Sequence, residues 1–418
     1  MRPARSESGG LELSRLWVLM VTAFVDMIGF ALVMPLLPFY ALRFGADAST
    51  IGFLMSSFAF GQLVTAPLWG RLSDRIGRRP VIITAQAIAA GAFLIFAFAG
   101  SVWLLFVCRI LQGVGAGSLG TVSAFVSDVV EPRRRAEALG WITACTSAGV
   151  MVGPAIGSLT VGLSQAAPGV IAASMSLLNM IFAFYWLHEP KTPTQGQEKT
   201  RRAPIRGQLL EVIGHPLRRV HSLIWIYTAG MMAFMAMTGV MALYLEEVFG
   251  ITERNIGWFY VAVGAVSVVM RGLILGKLVN RLGEVRVLRL GALSLGLGMI
   301  GVTLAAGPWL FAFALLLVPT GTALLFPCTT SLVTRYARKD QVGQTVGVQQ
   351  AFGGMSRLLA PIWAGLVFES VGVREPFWIG GALVLLTALV ALRLAPGEAS
   401  PADGASSEGT ESEISATA

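Results

Sequence analysis

Twelve runs of about twenty apolar residues, set apart by short polar segments, constrain this chain more than anything else in it. Each run has the ~20 residues that a helix needs to cross a bilayer. In lipid, only helices and closed barrels satisfy every backbone polar group. The runs fall at 16–40, 50–70, 80–100, 102–127, 137–163, 168–187, 221–246, 255–276, 286–306, 309–333, 343–368 and 376–394, and we number them spans 1 to 12. Only 13% of the residues are charged, against roughly a quarter in soluble domains. The fold expected is all-α and membrane-embedded. The first run is longer than a signal-peptide core and lacks a small-residue cleavage site, so it reads as a span.

The longest interior polar segment, 188–220, is rich in Pro, Gln, Thr, Lys and Arg and divides six spans from six. This gives a tail at 1–15, a six-helix half at 16–187, a linker at 188–220, a second half at 221–394 and a tail at 395–418 expected to be disordered. Nearly all Lys and Arg outside the spans lie in alternate segments, and the intervening ones hold only Arg43, Arg254 and Arg374. By the positive-inside rule both termini and the linker face the cytoplasm. The net charge of +8 is therefore a topology signal, and no nucleic-acid partner is implied.

The halves repeat one another. Gly70, Leu72, Arg75 and Gly77 recur as Gly276, Leu278, Arg281 and Gly283 at an offset of 206, with Asp74 replaced by Asn280. Gly140 and Pro154 recur as Gly347 and Pro361 at an offset of 207. Two parallel, pseudo-symmetric halves follow, an arrangement that places a substrate site between them near mid-membrane.

Enzyme chemistry finds no footing. Cys108, Cys145 and Cys328 sit inside apolar runs and imply no disulfide framework. His188, His215 and His221 lie in or beside the linker, and no metal-ligand spacing occurs. No cofactor or metal is expected.

Between spans 2 and 3, residues 70–79 read GRLSDRIGRR, five charges in ten residues. The stretch resembles the loop between helices 2 and 3 of the major facilitator superfamily at Gly70, Leu72, Asp74, Arg75, Gly77, Arg78 and Arg79. The glycines permit a tight turn and close approach of helix ends, and Pro80 suits the first turn of span 3. The resemblance implies twelve helices in two halves that rock about a central site. It also implies that Asp74, Arg78 and Asp128 form a charge network latching the halves, with Gly70, Arg75 and Gly77 completing the motif. Solvated loop charges worth ~0–1 kcal/mol per pair are the other reading.

Few ionisable groups lie inside spans, and those are the main functional clue. Asp26 is about ten residues into span 1, ~15 Å deep at 1.5 Å per residue. Burying a carboxylate in hydrocarbon is expensive, which suits such an acid to taking up and returning a proton. Arg109 in span 4 lies at similar depth and is expected to pair with Asp26. Two readings of Asp26 stand, a proton or cationic-substrate site and a structural partner for Arg109. Residues 26–38, DMIGFALVMPLLP, resemble the first helix of the tetracycline-efflux and drug:proton antiporter branch, where an acid precedes a Pro-containing stretch. Span 4 carries Arg109, Gln112, Gly113, Gly115 and Gly117, similar to the family's Arg-x-x-Gln-Gly-x-Gly. The arginine stays protonated and biases a neighbouring acid rather than carrying the proton. Span 5 carries Gly149, Gly153, Pro154 and Gly157, similar to the antiporter pattern Gly-x-x-x-Gly-Pro-x-x-Gly-Gly, with Ser158 in the last position. Close helix packing alone also explains these glycines.

Span 7 holds Tyr227, Met231 and Met235 among several methionines; polarizable side chains suit a promiscuous cavity, and plain packing is an equal reading. With Met34, Gln112 and Arg357 they are the candidate cavity residues. Arg357 and Arg271 would attract an anionic substrate or bind backbone carbonyls. Glu246, Glu247 and Glu369 lie at external ends and are expected to be solvated.

The expectation is a monomeric secondary transporter in a bacterial inner membrane. It would exchange protons for small, lipophilic compounds, with Asp26 as the proton-responsive acid and Arg109 as its tuner. The alternatives are a carrier of an endogenous, anionic metabolite and, remotely, a non-transporting sensor.

Overall fold

The computed structural model describes residues 7–117, 119–131, 134–189, 205–305, 307–338 and 341–393. The tail at 395–418 and the middle of the linker, 190–204, lie outside these. Twelve helices long and apolar enough to cross a membrane are present among the described residues, one for each expected span. They are Leu16–Arg43, Ala48–Ile76, Arg78–Ala97, Val102–Val129, Glu137–Val161, Ala167–Trp186, Arg219–Phe249, Ile256–Leu282, Glu284–Leu304, Trp309–Tyr336, Val342–Ser370 and Glu375–Leu392. No strand occurs among the described residues. A short additional helix, Ile205–Gly214, lies in the linker.

Three spans are interrupted, each for a local reason. Span 1 breaks after Val33, because Pro35 and Pro38 cannot donate to the preceding turn, and resumes as Leu37–Arg43. Span 4 breaks between Val102–Ala116 and Leu119–Val129, beside Gly117. Span 8 contains a π-helical turn, Met270–Ile274.

Residues 70–79 are more helical than a loop reading implies. Span 2 runs to Ile76 and span 3 starts at Arg78, leaving Gly77 alone between them. Its φ of 98° and ψ of 164° are open only to glycine. Gly283, its repeat counterpart, joins spans 8 and 9 at φ 80° and ψ 154°. The repeat seen in sequence is thus also a repeat of backbone geometry at these two turns.

The packing divides into two compact units. The first takes the described parts of Met1–Thr200, Met235–Val268 and Arg357–Phe377. Within it span 1 packs on spans 5 and 6, span 2 on span 4, and span 3 on spans 4 and 6. One end of this bundle is sealed by Val18, Leu19, Ile82, Phe125, Val126, Ala138, Ala183 and Leu187. Two repeat-related prolines play matching parts: a Cβ at Gly257 of span 8 would strike the Pro154 carbonyl, and one at Gly52 of span 2 the Pro361 carbonyl. Glu369 is not merely solvated, since it accepts the Ser49 N–H at 3.0 Å as well as the Ser49 hydroxyl. The second unit takes the described parts of Arg201–Phe234, Val269–Ser356 and Trp378–Ala418. Its core is span 9 against span 10, where Gly298 and Gly291 admit the backbone of Val318 and Leu325.

Candidate functional site

The Asp26 carboxylate is half-buried on span 1. Gln86 of span 3 donates its Nε2 to Oδ2 at 2.6 Å, and Asn179 of span 6 donates its Nδ2 to Oδ1 at 3.0 Å. Asn179 also reaches the Thr22 carbonyl at 3.3 Å, which fixes its amide against the same helix. Gln86 and Asn179 are 4% and 3% exposed, so this cradle is closed to bulk solvent around the amides. Their remaining oxygens, Gln86 Oε1 and Asn179 Oδ1, are buried and have no hydrogen-bond partner among the described residues.

Arg109 does not pair with Asp26. Its Nη1 donates to Gln112 Oε1 at 3.0 Å, and its guanidinium lies 4.8 Å from the Phe58 ring centre and 5.8 Å from that of Phe30. The two rings lie 4.9 Å apart. The cation is therefore held by ring faces and an amide, at 2% exposure. Phe30 is one helical turn from Asp26 on span 1, so Arg109 packs on the helix that carries the acid while each charged group keeps its own partners. Similar depth in sequence indicated the neighbourhood and not the partners, because amides and rings leave no charge pattern to read.

Span 5 places its motif glycines directly on span 1. A Cβ at Gly149 would sit 2.5 Å from the Phe24 carbonyl oxygen, at Gly153 2.7 Å from that of Ile28, and at Gly157 2.5 Å from that of Leu32. Backbone lies against backbone along the helix that carries Asp26, on either side of it. The opposite face of span 5 meets span 8, where Pro154 faces Gly257 and Met151 faces Gly264. Ser158 has its own task here. Its hydroxyl accepts the Gly257 N–H at 2.7 Å and donates to the Glu253 carbonyl at 3.0 Å, satisfying backbone groups at the start of span 8. A glycine in that position, as in the antiporter pattern, lacks both bonds.

The charged turn assembles as a network. Arg78 Nη1 lies 2.6 Å from Asp74 and 2.5 Å from the Ser73 hydroxyl, and its Nε lies 3.1 Å from Asp128. Glu189, three residues past the end of span 6, accepts the Arg78 and Arg79 N–H groups at 2.7 and 2.9 Å, an anion at a helix N-terminus. A Cβ on Gly77 would fall 2.6 Å from that carboxylate. Glu189 was hidden in sequence because it reads as the first residues of a polar linker. Arg75 has no hydrogen bond or ion pair among the described residues, and a Cβ at Gly70 would meet nothing within 4 Å, so close approach is not what places glycine there.

The candidate cavity residues fall in both packing units. In the first, Met34, Met235 and Arg357 are half-buried and Gln112 is buried on Arg109. In the second, Tyr227 and Met231 are 5% and 8% exposed, and the Tyr227 ring meets Phe326 edge-on at 5.4 Å. Among the described residues no group of His, Cys, Asp and Glu could hold a metal ion.

A family model described as Major Facilitator Superfamily matches residues 19–361 and 245–416. Multidrug resistance protein 2 of Bacillus subtilis (strain 168) is 26% identical over 374 residues, covering 88% of this chain and 92% of that protein. Tetracycline resistance protein, class G, of Vibrio anguillarum is 29% identical over 377 residues, covering 88% and 94%. The crystal structure of the human organic anion transporter MFSD10 (TETRAN) aligns with a TM-score of 0.70 at 20% identity, covering 93% of this chain and all of that one. A POT family transporter in complex with 5-aminolevulinic acid aligns with a TM-score of 0.73 at 16% identity, covering 91% and 96%.

Proposed function

The chain belongs to the Major Facilitator Superfamily, and on that premise we propose that it exports small lipophilic compounds in exchange for protons by alternating access. It is a transporter by family, and its relatives include multidrug and tetracycline resistance proteins.

One observation carries the proton-coupled reading. Asp26 is held by two neutral amides and ion-pairs with no Lys, Arg or His among the described residues. Each amide has a donor end on the carboxylate and an unpartnered oxygen. Turned about its last bond, either amide would offer that oxygen to the O–H of a protonated acid. The cradle thus suits both protonation states without a fixed countercharge, which is what a reversible proton site requires. Arg109, packed against Phe30 of the same helix, stays cationic in either state.

Coupling requires the proton to bias one conformation over the other. Span 1 is the natural carrier of that bias, because the span 5 glycines lie on its backbone beside Asp26. Arg78, Asp74 and Asp128 serve as a latch at the turn between spans 2 and 3, with Glu189 anchoring the turn. We place both termini in the cytoplasm and the chain in a bacterial inner membrane as a monomer. Its partners on this reading are the cargo, protons and the lipid bilayer.

The test uses everted membrane vesicles carrying an established pH gradient, followed with a quenched acridine dye. Adding tetracycline or ethidium should dissipate part of the gradient for the wild type and none of it for Asp26→Asn. Equal dissipation by the variant would exclude Asp26 as the coupling acid.

A further inference from the structure

The π-helical turn of span 8, Met270–Ile274, carries an arginine, Arg271. At 1.5 Å per residue it lies roughly 16 Å from the Leu282 end of the span and roughly 22 Å from the Ile256 end. That is the middle of the hydrocarbon, deeper than a side chain escapes by bending toward an interface. A cation there is expensive and marks a functional site.

No described residue neutralises it. Among the described residues Arg271 makes no hydrogen bond and no ion pair. Span 8 contains no Asp or Glu, and it adds two further cations, Lys277 and Arg281. The helix that packs beside the turn, Pro308–Tyr336, has no acid either. The first acid beyond the span, Glu284, already accepts the Ser331 hydroxyl at 2.6 Å.

The surroundings are open. Arg271 is exposed, and over the apolar core of span 8 no residue is buried. A Cβ added at Gly272 or Gly276 would meet nothing within 4 Å. A π-turn departs from the regular helix and is found frequently at functional sites.

We propose that Arg271 and its π-turn form a recognition site for an anionic group, a carboxylate or its equivalent, on a lipophilic cargo. The charge that completes the site arrives with the ligand. This rests on the transport of lipophilic compounds, and it is independent of proton coupling at Asp26. A guanidinium offers a planar fork of donors that matches a carboxylate.

The test measures binding, so that failure of the coupling reading does not affect it. Thermal stabilisation of the purified full chain in neutral detergent is titrated with 1-naphthoate, biphenyl-4-carboxylate and salicylate, each beside its matching primary alcohol. At least one carboxylate should bind the wild type roughly ten- to a hundredfold more tightly than its alcohol, the range of a charge-assisted hydrogen bond. Arg271→Gln should erase that preference, and Arg271→Lys should keep part of it. No preference for any carboxylate in the wild type overturns the proposal, whatever the variants do. The same titration in nanodiscs with and without phosphatidylglycerol separates cargo from lipid. If the anionic lipid stabilises wild type but not Arg271→Gln and removes the carboxylate preference, the arginine binds a headgroup and the cargo site is overturned.

Discussion

Replacing Gly153 with alanine tests the link between span 5 and the proton site. The new Cβ would lie 2.7 Å from the Ile28 carbonyl oxygen, 2.8 Å from Ala31 Cβ and 2.9 Å from the Leu32 N. All three belong to the span 1 backbone or to its first side-chain carbon, so none can swing aside. Span 5 must retreat by about 0.7 Å to restore ordinary contact, and overpacking of this kind costs about 1–3 kcal/mol. The displaced segment runs from Ile28 to Leu32, half a turn beyond Asp26. Gly140 provides a control in the same helix, since a Cβ there meets nothing within 4 Å. Gly140→Ala gains the helix preference of alanine, about 0.5–1 kcal/mol. The assay is thermal unfolding in detergent together with ethidium efflux at matched expression. Gly153→Ala should unfold earlier and lose most of its efflux, whereas Gly140→Ala should keep both. Wild-type stability and efflux in Gly153→Ala would refute the packing argument.

Further outcomes follow from other parts of the structure. Ser158→Ala strips a partner from the Gly257 N–H and the Glu253 carbonyl, so thermal unfolding should report a loss of about 1–3 kcal/mol; an unchanged midpoint would mean that water replaces the hydroxyl. Arg78→Gln should cost under about 1 kcal/mol of stability, because the pair with the 67% exposed Asp74 is largely solvated. It should nevertheless reduce efflux severalfold, and a variant with full efflux would remove the latch role. Asp47 caps span 2 by accepting the Thr50 N–H at 2.8 Å, and hydrogen bonding from the Thr50 side chain and then from this N–H holds its carboxyl below the usual range. A lowered value means that the cap stabilises at neutral pH and weakens as pH falls through the folded-state value. Asp47→Ala should therefore cost about 0.5–2 kcal/mol at pH 7, and the gap from wild type should narrow in acid; a constant gap would exclude the carboxylate.

The large features of this fold are legible in sequence because they are set by hydrophobic length. Twelve apolar runs became twelve membrane-crossing helices, and the repeated glycines at 77 and 283 share a backbone conformation. The Arg78 network with Asp74 and Asp128 was legible too, since opposite charges near a turn must find one another. The cradle around Asp26 was not. Gln86 and Asn179 lie 60 and 153 residues away and carry no charge, so only the packing of spans 1, 3 and 6 brings them together. Ser158 looked like a small departure from a glycine pattern until span 8 was placed beside it. The π-turn at Met270–Ile274 has no signature of its own in the sequence.

The central claim is that Asp26 releases its proton when cargo binds. It is tested most directly by adding tetracycline or ethidium to purified protein in weakly buffered detergent and following pH with an indicator dye. The account predicts proton release from the wild type that saturates with compound and is absent from Asp26→Asn. Undiminished release from Asp26→Asn, or binding without any release from the wild type, would contradict it.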